Sequence, residues 1–169
     1  TPNGGIVLST SMLTDPAIKL DMKNKEASSP IGIPLEEFRN KVLEVSNQTL
    51  YYPVDPTSRN DAYVGGTLSC NASGFIPGQK GATRYWVKEL EFLLPNGDWV
   101  QIRRGQYISE NGVFSIEYEG KTVSLPVPTY NRPKIKNASG VFSDRSGTVD
   151  LIDLIIGSEG ILGMITSCK

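Results

Sequence analysis

The chain has 169 residues, 38% of them hydrophobic and 21% charged, and 17 basic against 18 acidic side chains leave a formal net charge of −1. This balance excludes a disordered chain and an overall attraction to nucleic acid, and the absence of histidine excludes a Ser-His-Asp triad or a histidine-bound zinc within it. No apolar run could cross a bilayer, because the longest, Leu151 to Ile156, is broken by Asp153. Cys70 and Cys168 are too few for a disulfide framework, which points to a reducing, cytoplasmic setting. The glycan-acceptor matches at Asn47, Asn71 and Asn137 would matter only in a secreted protein. One domain, residues 1–169, is expected.

In chain order, Gly5 to Ser9 is expected to form a short buried strand, since Ile6-Val7-Leu8 is a continuous apolar run beside glycines. Ile18 to Met22 alternates apolar and polar residues, as a half-buried strand does. Ser28-Ser29-Pro30 and Gly32 carry turn chemistry, and Pro34 suits the first turn of a helix. Leu35, Phe38, Val42 and Val45 then recur at helical spacing, with charged residues on the other face and Glu36 and Glu37 near the positive end of the dipole. Pro53 to Ser58 is expected to be an ordered loop, because each proline lacks an amide proton and restricts its predecessor.

Gly65 to Gly74 is built of small residues apart from Leu68, and a second loop with Pro77, Gly78 and Gly81 follows. Trp86–Leu94 and Asp98–Arg103 flank Pro95-Asn96-Gly97, a strong hairpin signal. Gln106 to Ser146 is polar and weakly periodic, so little regular structure is expected there. Asp150 to Ile156 reads as a short helix, and Gly157-Ser158-Glu159-Gly160 leads into a strand from Ile161 to Thr166.

A long anionic cofactor needs backbone amides that can approach its phosphates and side chains too small to keep the backbone away. Gly65-Gly66-Thr67 offers a tight turn with free amides, placed where a helix could begin. Gly157, Gly160 and Gly163 space a second such turn ahead of an apolar strand. Turn geometry alone also explains either segment, and neither has the spacing of a P-loop or a dinucleotide-binding fingerprint.

The order Y-P-V-D-P-T-S, V-G-G-T-L-S-C-N-A-S-G, G-A-T-R and D-L-I-D-L-I-I-G-S-E-G-I-L-G-M-I-T resembles the FAD-binding domain of the p-cresol methylhydroxylase and vanillyl-alcohol oxidase type. Within it, the chain is most similar to the branch of D-lactate, glycolate and D-2-hydroxyglutarate dehydrogenases and alkylglycerone-phosphate synthase. The resemblance implies an α+β fold, mainly antiparallel β-sheet with flanking helices, and FAD as cofactor. It implies that Pro53, Asp55, Pro56 and Ser58 form a loop beside the flavin, and that Gly65, Gly66 and Thr67 contact flavin and phosphates. Asn71 and Gly74 would shape that segment, and Gly81 and Thr83 would lie near the ribityl or phosphate portion. Glu159, Gly160, Gly163 and Ile165 would line the adenine end. Read from the residues alone, Asp55 could instead close a turn, Asn71 cap a helix and Glu159 hold its own turn through backbone amides.

Lys80 and Tyr85 stand where the family usually has a tyrosine and an acid, and Ile161 replaces a threonine. The resemblance further implies that the pyrophosphate loop precedes this chain and that a substrate-binding cap, with the catalytic side chains, follows it. The implied activity is oxidation of a small 2-hydroxy acid by hydride transfer to flavin N5, with a quinone or a flavoprotein as electron acceptor. Alternatives are an alkylglycerone-phosphate synthase-like FAD enzyme and a non-catalytic binding module. The implied location is cytoplasmic or peripheral to a membrane.

Overall fold

The computed structural model describes residues 4–118, 120–138 and 142–169. Residues 1–3 lie outside them, as do residues 119 and 139–141 of the segment expected to lack regular structure. Five strands form one sheet in the order β1 (Lys19–Asp21), β2 (Glu26–Pro30), β7 (Met164–Cys168), β3 (Glu89–Leu93) and β4 (Trp99–Arg103). Every neighbouring pair is antiparallel. Helices α1 (Leu35–Val45), α2 (Val64–Ser69) and α3 (Leu151–Ile155) share one core with the sheet. The fold is therefore a mainly antiparallel sheet with few helices, as expected.

The helical spacing from Leu35 is realised. Leu35, Phe38 and Val42 are buried, and the Phe38 ring meets Tyr52 edge-on at 5.6 Å. Pro34 precedes the helix as its N-cap, where a missing amide proton costs no helical bond. In the β3–β4 hairpin, Leu90 and Phe92 alternate inward, and Gly97 supplies the left-handed turn position at φ 93°.

Four expectations are corrected. Residues 6–8 do not form a buried strand: they belong to no strand and are exposed, Ile6 by 97%, because they pair with neither sheet and so gain no partner to bury their side chains. Ser28 to Pro30 is not a turn. It completes β2, with Ser29 opposite Cys168 and Pro30 opposite Ser167, so partners distant in sequence override the local turn chemistry. The segment from Gln106 to Ser146 contains a hairpin of β5 (Val113–Tyr118) and β6 (Lys121–Pro126), which holds Phe114 against Val127 and Val149 in a small second core. The last strand begins at Met164 rather than Ile161, because a turn occupies residues 160–162.

Candidate functional site

The site is assembled by hydrogen bonds between the two glycine segments. The Val64 amide donates to the Ile33 carbonyl at 2.9 Å and the Gly65 amide to the Ile31 carbonyl at 3.0 Å, which pins the start of α2 to the segment leaving β2. A Cβ at Gly65 would lie 2.8 Å from that of Ile31, so this approach requires glycine. The amide of Gly65 is thus already used, contrary to the expectation of a free donor there. That of Gly66 has no partner among the described hydrogen bonds.

At its other end, α2 stops where Asn71 turns left-handed at φ 47°, a conformation asparagine tolerates better than most residues. Two late carbonyls of α2 are then capped from the second glycine segment: Leu68 accepts from Gly157 at 3.1 Å and Ser69 from Glu159 at 2.9 Å. Gly157, Glu159 and Gly160 all have positive φ, the geometry this tight turn demands. Gly163 follows with no room for a Cβ, which would come within 2.5 Å of the Leu93 carbonyl and 2.7 Å of the Phe92 ring.

The result is a cleft of about 610 Å³. It is lined by Gly65, Gly66 and Ser69 of the first glycine segment, by Gly160, Gly163 and Ile165 of the second, and by Leu93 to Pro95. Its size suits a small-molecule or cofactor site. A Cβ added at Gly66 would meet nothing within 4 Å, and one at Gly160 only the Gly163 carbonyl at 3.9 Å. The bare backbone at these two positions faces open space, the surface an extended phosphate-bearing cofactor can lie against.

The other expected site residues lie elsewhere. Pro53, Thr67 and Thr83 line a second cavity of about 470 Å³ together with Tyr52, whose pKa is raised chiefly by burial; the Thr67 hydroxyl donates to the Val64 carbonyl at 2.7 Å and that of Thr83 to the Ala72 carbonyl at 2.8 Å. Asp55 pairs with Arg59 at 3.0 Å and Arg39 at 3.6 Å, and its carbonyl accepts the Phe75 amide at 3.1 Å. Gly74 packs so tightly on the Asp55-Pro56 backbone that a Cβ would fall 1.6 Å from the Asp55 carbonyl oxygen. Ser58 is exposed, with its carbonyl closing a turn to Asp61 and Ala62. Gly81 is buried against the Ile76 carbonyl. The Asn71 side chain accepts the Arg84 amide at 3.0 Å, and Glu159 is exposed.

A buried arginine behind the cleft was not among the expected site residues. Arg84 is only 2% exposed, donates to the Asp153 carbonyl and lies face-on to the Phe142 ring at 4.5 Å. Its Nη2 would sit 3.2 Å from a Cβ at Gly157, directly behind the second glycine turn. Burial pulls its pKa down to about 10, against the upward pull of Asp153. The Asp153 carboxylate is itself held by both terminal nitrogens of Arg104 at 3.0 Å. The available signal was the G-A-T-R string, which the resemblance used only for Gly81 and Thr83.

A family model described as an FAD binding domain matches residues 1–103. The chain is 28% identical over 163 residues to D-2-hydroxyglutarate dehydrogenase of Xanthomonas citri and 30% identical over 163 residues to a glycolate oxidase subunit of Bacillus subtilis. Each match covers 96% of this chain and 26% of the relative, so the chain spans about a quarter of their length. Among solved structures, alkyldihydroxyacetonephosphate synthase is similar in fold with a TM-score of 0.50 at 19% identity, over 89% of this chain and 20% of that one. With most of its length matched by the family model, and with a cleft whose bare backbone suits a phosphate-bearing cofactor, the chain belongs to the FAD binding domain family.

Proposed function

We propose that this chain is one lobe of the FAD site of a longer flavin-dependent oxidoreductase that oxidises a small 2-hydroxy acid. The observation that carries the proposal is that Gly66 and Gly160 line one cleft, each with open space where a side chain would stand. The substrate class is supported by the names of the relatives, which oxidise D-2-hydroxyglutarate and glycolate. FAD, when bound, supplies the two-electron acceptor.

In this proposal the backbone at Gly66, Gly160 and Ile165 faces the cofactor, while Gly65 and Gly163 let the walls come close enough to form the cleft. Thr67, Thr83 and Pro53 act from behind, around Tyr52. Asp55, Pro56, Ser58, Asn71, Gly74 and Gly81 shape the loops that carry the wall, and Glu159 holds its turn through its backbone amide. In this proposal the sites for the substrate and for the electron acceptor, a quinone or a flavoprotein, and the group that takes the hydroxyl proton lie in parts of the protein outside this chain. A cytoplasmic setting is supported by two free cysteines.

The test is the visible absorbance of the parent protein as isolated and after incubation with FAD. Flavin bands are expected, and a colourless protein that takes up no FAD overturns the proposal. The 169-residue chain alone is expected to bind FAD weakly, because a one-sided phosphate cradle lacks several charge-assisted hydrogen bonds worth about 1.5–3 kcal/mol each.

A further inference from the structure

The cleft between the glycine segments carries no charge of its own, since none of its lining residues is ionisable. A cofactor bearing two phosphates would meet only backbone, small side chains and apolar ones there. The positive charge that stabilises such an anion has to come from behind the lining.

The structure holds one in that place. Arg84 is buried, and its Nη2 stands 3.2 Å from where a Cβ at Gly157 would lie. The turn it backs is bonded to the end of α2, Gly157 to Leu68 and Glu159 to Ser69, so the guanidinium lies where the two glycine segments join. A buried guanidinium is ordinarily neutralised by a carboxylate. This one donates instead to the main-chain carbonyl of Asp153, whose carboxylate is occupied by both terminal nitrogens of Arg104. Asp150, the other acid bordering α3, is turned to the Ile152 and Gly105 amides. The Phe142 ring beside Arg84 also carries Arg132, so that side supplies a second cation. Two buried donors at this junction, Arg84 Nε and Asn71 Nδ2, have no acceptor among the described residues.

We infer, resting on the flavin site proposed above, that Arg84 is an electrostatic positioning residue: its enclosed positive charge draws the diphosphate of the cofactor into the cleft and discriminates against an uncharged nucleoside. Enclosed by protein, the charge is screened far less than that of a surface lysine and acts across the turn. Its pKa of about 10 keeps it protonated at neutral pH. Glu159, on the same turn, opposes it, but that residue is exposed and its field is damped by water. A side chain needed only to fill this space would be served at lower cost by an uncharged one.

The test is titration of the flavin-free parent protein with FAD, and with ADP and adenosine, which differ by the diphosphate. The wild type should bind ADP more tightly than adenosine. Arg84→Met should weaken FAD and ADP roughly tenfold and leave adenosine unchanged, and Arg84→Lys should recover part of the loss. Asp153→Asn removes an opposing charge while keeping the bulk; it should tighten ADP, and it decides the matter if Arg84→Met does not fold. Equal losses of ADP and adenosine would make Arg84 merely structural and overturn the inference. FAD and ADP binding unchanged in both variants would also overturn it, with the flavin site left standing. A wild-type parent that takes up no FAD sinks both together.

Discussion

The backbone amide of Glu159 donates to the carbonyl of Ser69 at 2.9 Å, which fastens the second glycine turn onto the end of α2. Together with the Gly157 bond to Leu68, it makes the two glycine segments one unit although some ninety residues separate them in sequence. The position of Gly66 relative to Gly160 therefore depends on backbone bonds rather than on side chains, and substitutions at the glycines should separate stability from ligand access.

Gly66→Ala should stabilise the chain by about 0.5–1 kcal/mol, since Gly66 is helical, its added methyl meets nothing and alanine loses less entropy on folding. The same methyl projects into the cleft and should weaken FAD binding by the parent protein. Gly74→Ala should act the other way on stability, costing more than about 2 kcal/mol, because its methyl collides with the Asp55 backbone. Urea midpoints of the two variants give the signs directly, and a destabilised Gly66→Ala would show that the space at Gly66 is not open.

Asp150 caps α3 by accepting the Ile152 amide at 2.9 Å and reaches across to the Gly105 amide at 2.6 Å. Asp150→Ala should cost about 1–2 kcal/mol for the lost cap, and it also leaves the Gly105 amide without this acceptor. Asp150→Asn should recover part of the loss. Equal destabilisation by alanine and asparagine would mean that the cap contributes little.

Much of this framework was legible locally. The α1 spacing and the Asn-Gly turn between β3 and β4 are short-range patterns, and both elements form where the patterns lie. The two glycine segments were legible as candidates, but their meeting was not, since it rests on Leu68 and Ser69 carbonyls that carry no sequence signal. Strand β2 was hidden because Ser29 and Pro30 become a strand only opposite Cys168 and Ser167. The run Ile6-Val7-Leu8 misled for the opposite reason: an apolar triplet needs a partner to be buried, and this one pairs with no strand of either sheet among the described residues. Arg84 was obscured because a charged residue in a loop is ordinarily solvated, whereas this one is enclosed.

Arg104 holds the nearly buried Asp153 carboxylate through two bonds of 3.0 Å and also donates to the carbonyls of Val87 and Arg84. Arg104→Met should cost about 3 kcal/mol, since it strands a carboxylate away from water. The double variant Arg104→Met with Asp153→Leu should be clearly more stable than the single one. If it is not, the carbonyl contacts and not the ion pair dominate.

The two thiols should behave differently. Cys70 is exposed at the end of α2, whereas Cys168 is a half-buried residue of β7 packed against the main core, and burial of its thiol pushes the pKa up to about 12 from an ordinary value of 9.0. In the folded chain at mildly alkaline pH, a disulfide reagent should modify Cys70 rapidly and Cys168 only after denaturant is added, because the thiolate is the reactive form. The shift also sets a sign for stability. Below about pH 9 the thiol is protonated in both states and contributes no pH dependence; between about 9 and 12 only the unfolded chain releases the proton, so stability falls by about 1.4 kcal/mol per pH unit from this group. Arg84 acts in the opposite direction above about pH 10, since its lowered pKa lets the folded state give up a proton first. Comparing the chain with Cys168→Ala at each pH cancels that contribution. The difference in urea midpoints should be flat below about pH 9 and narrow in favour of the variant above it, and a difference that stays flat throughout would mean the Cys168 thiol is in contact with water.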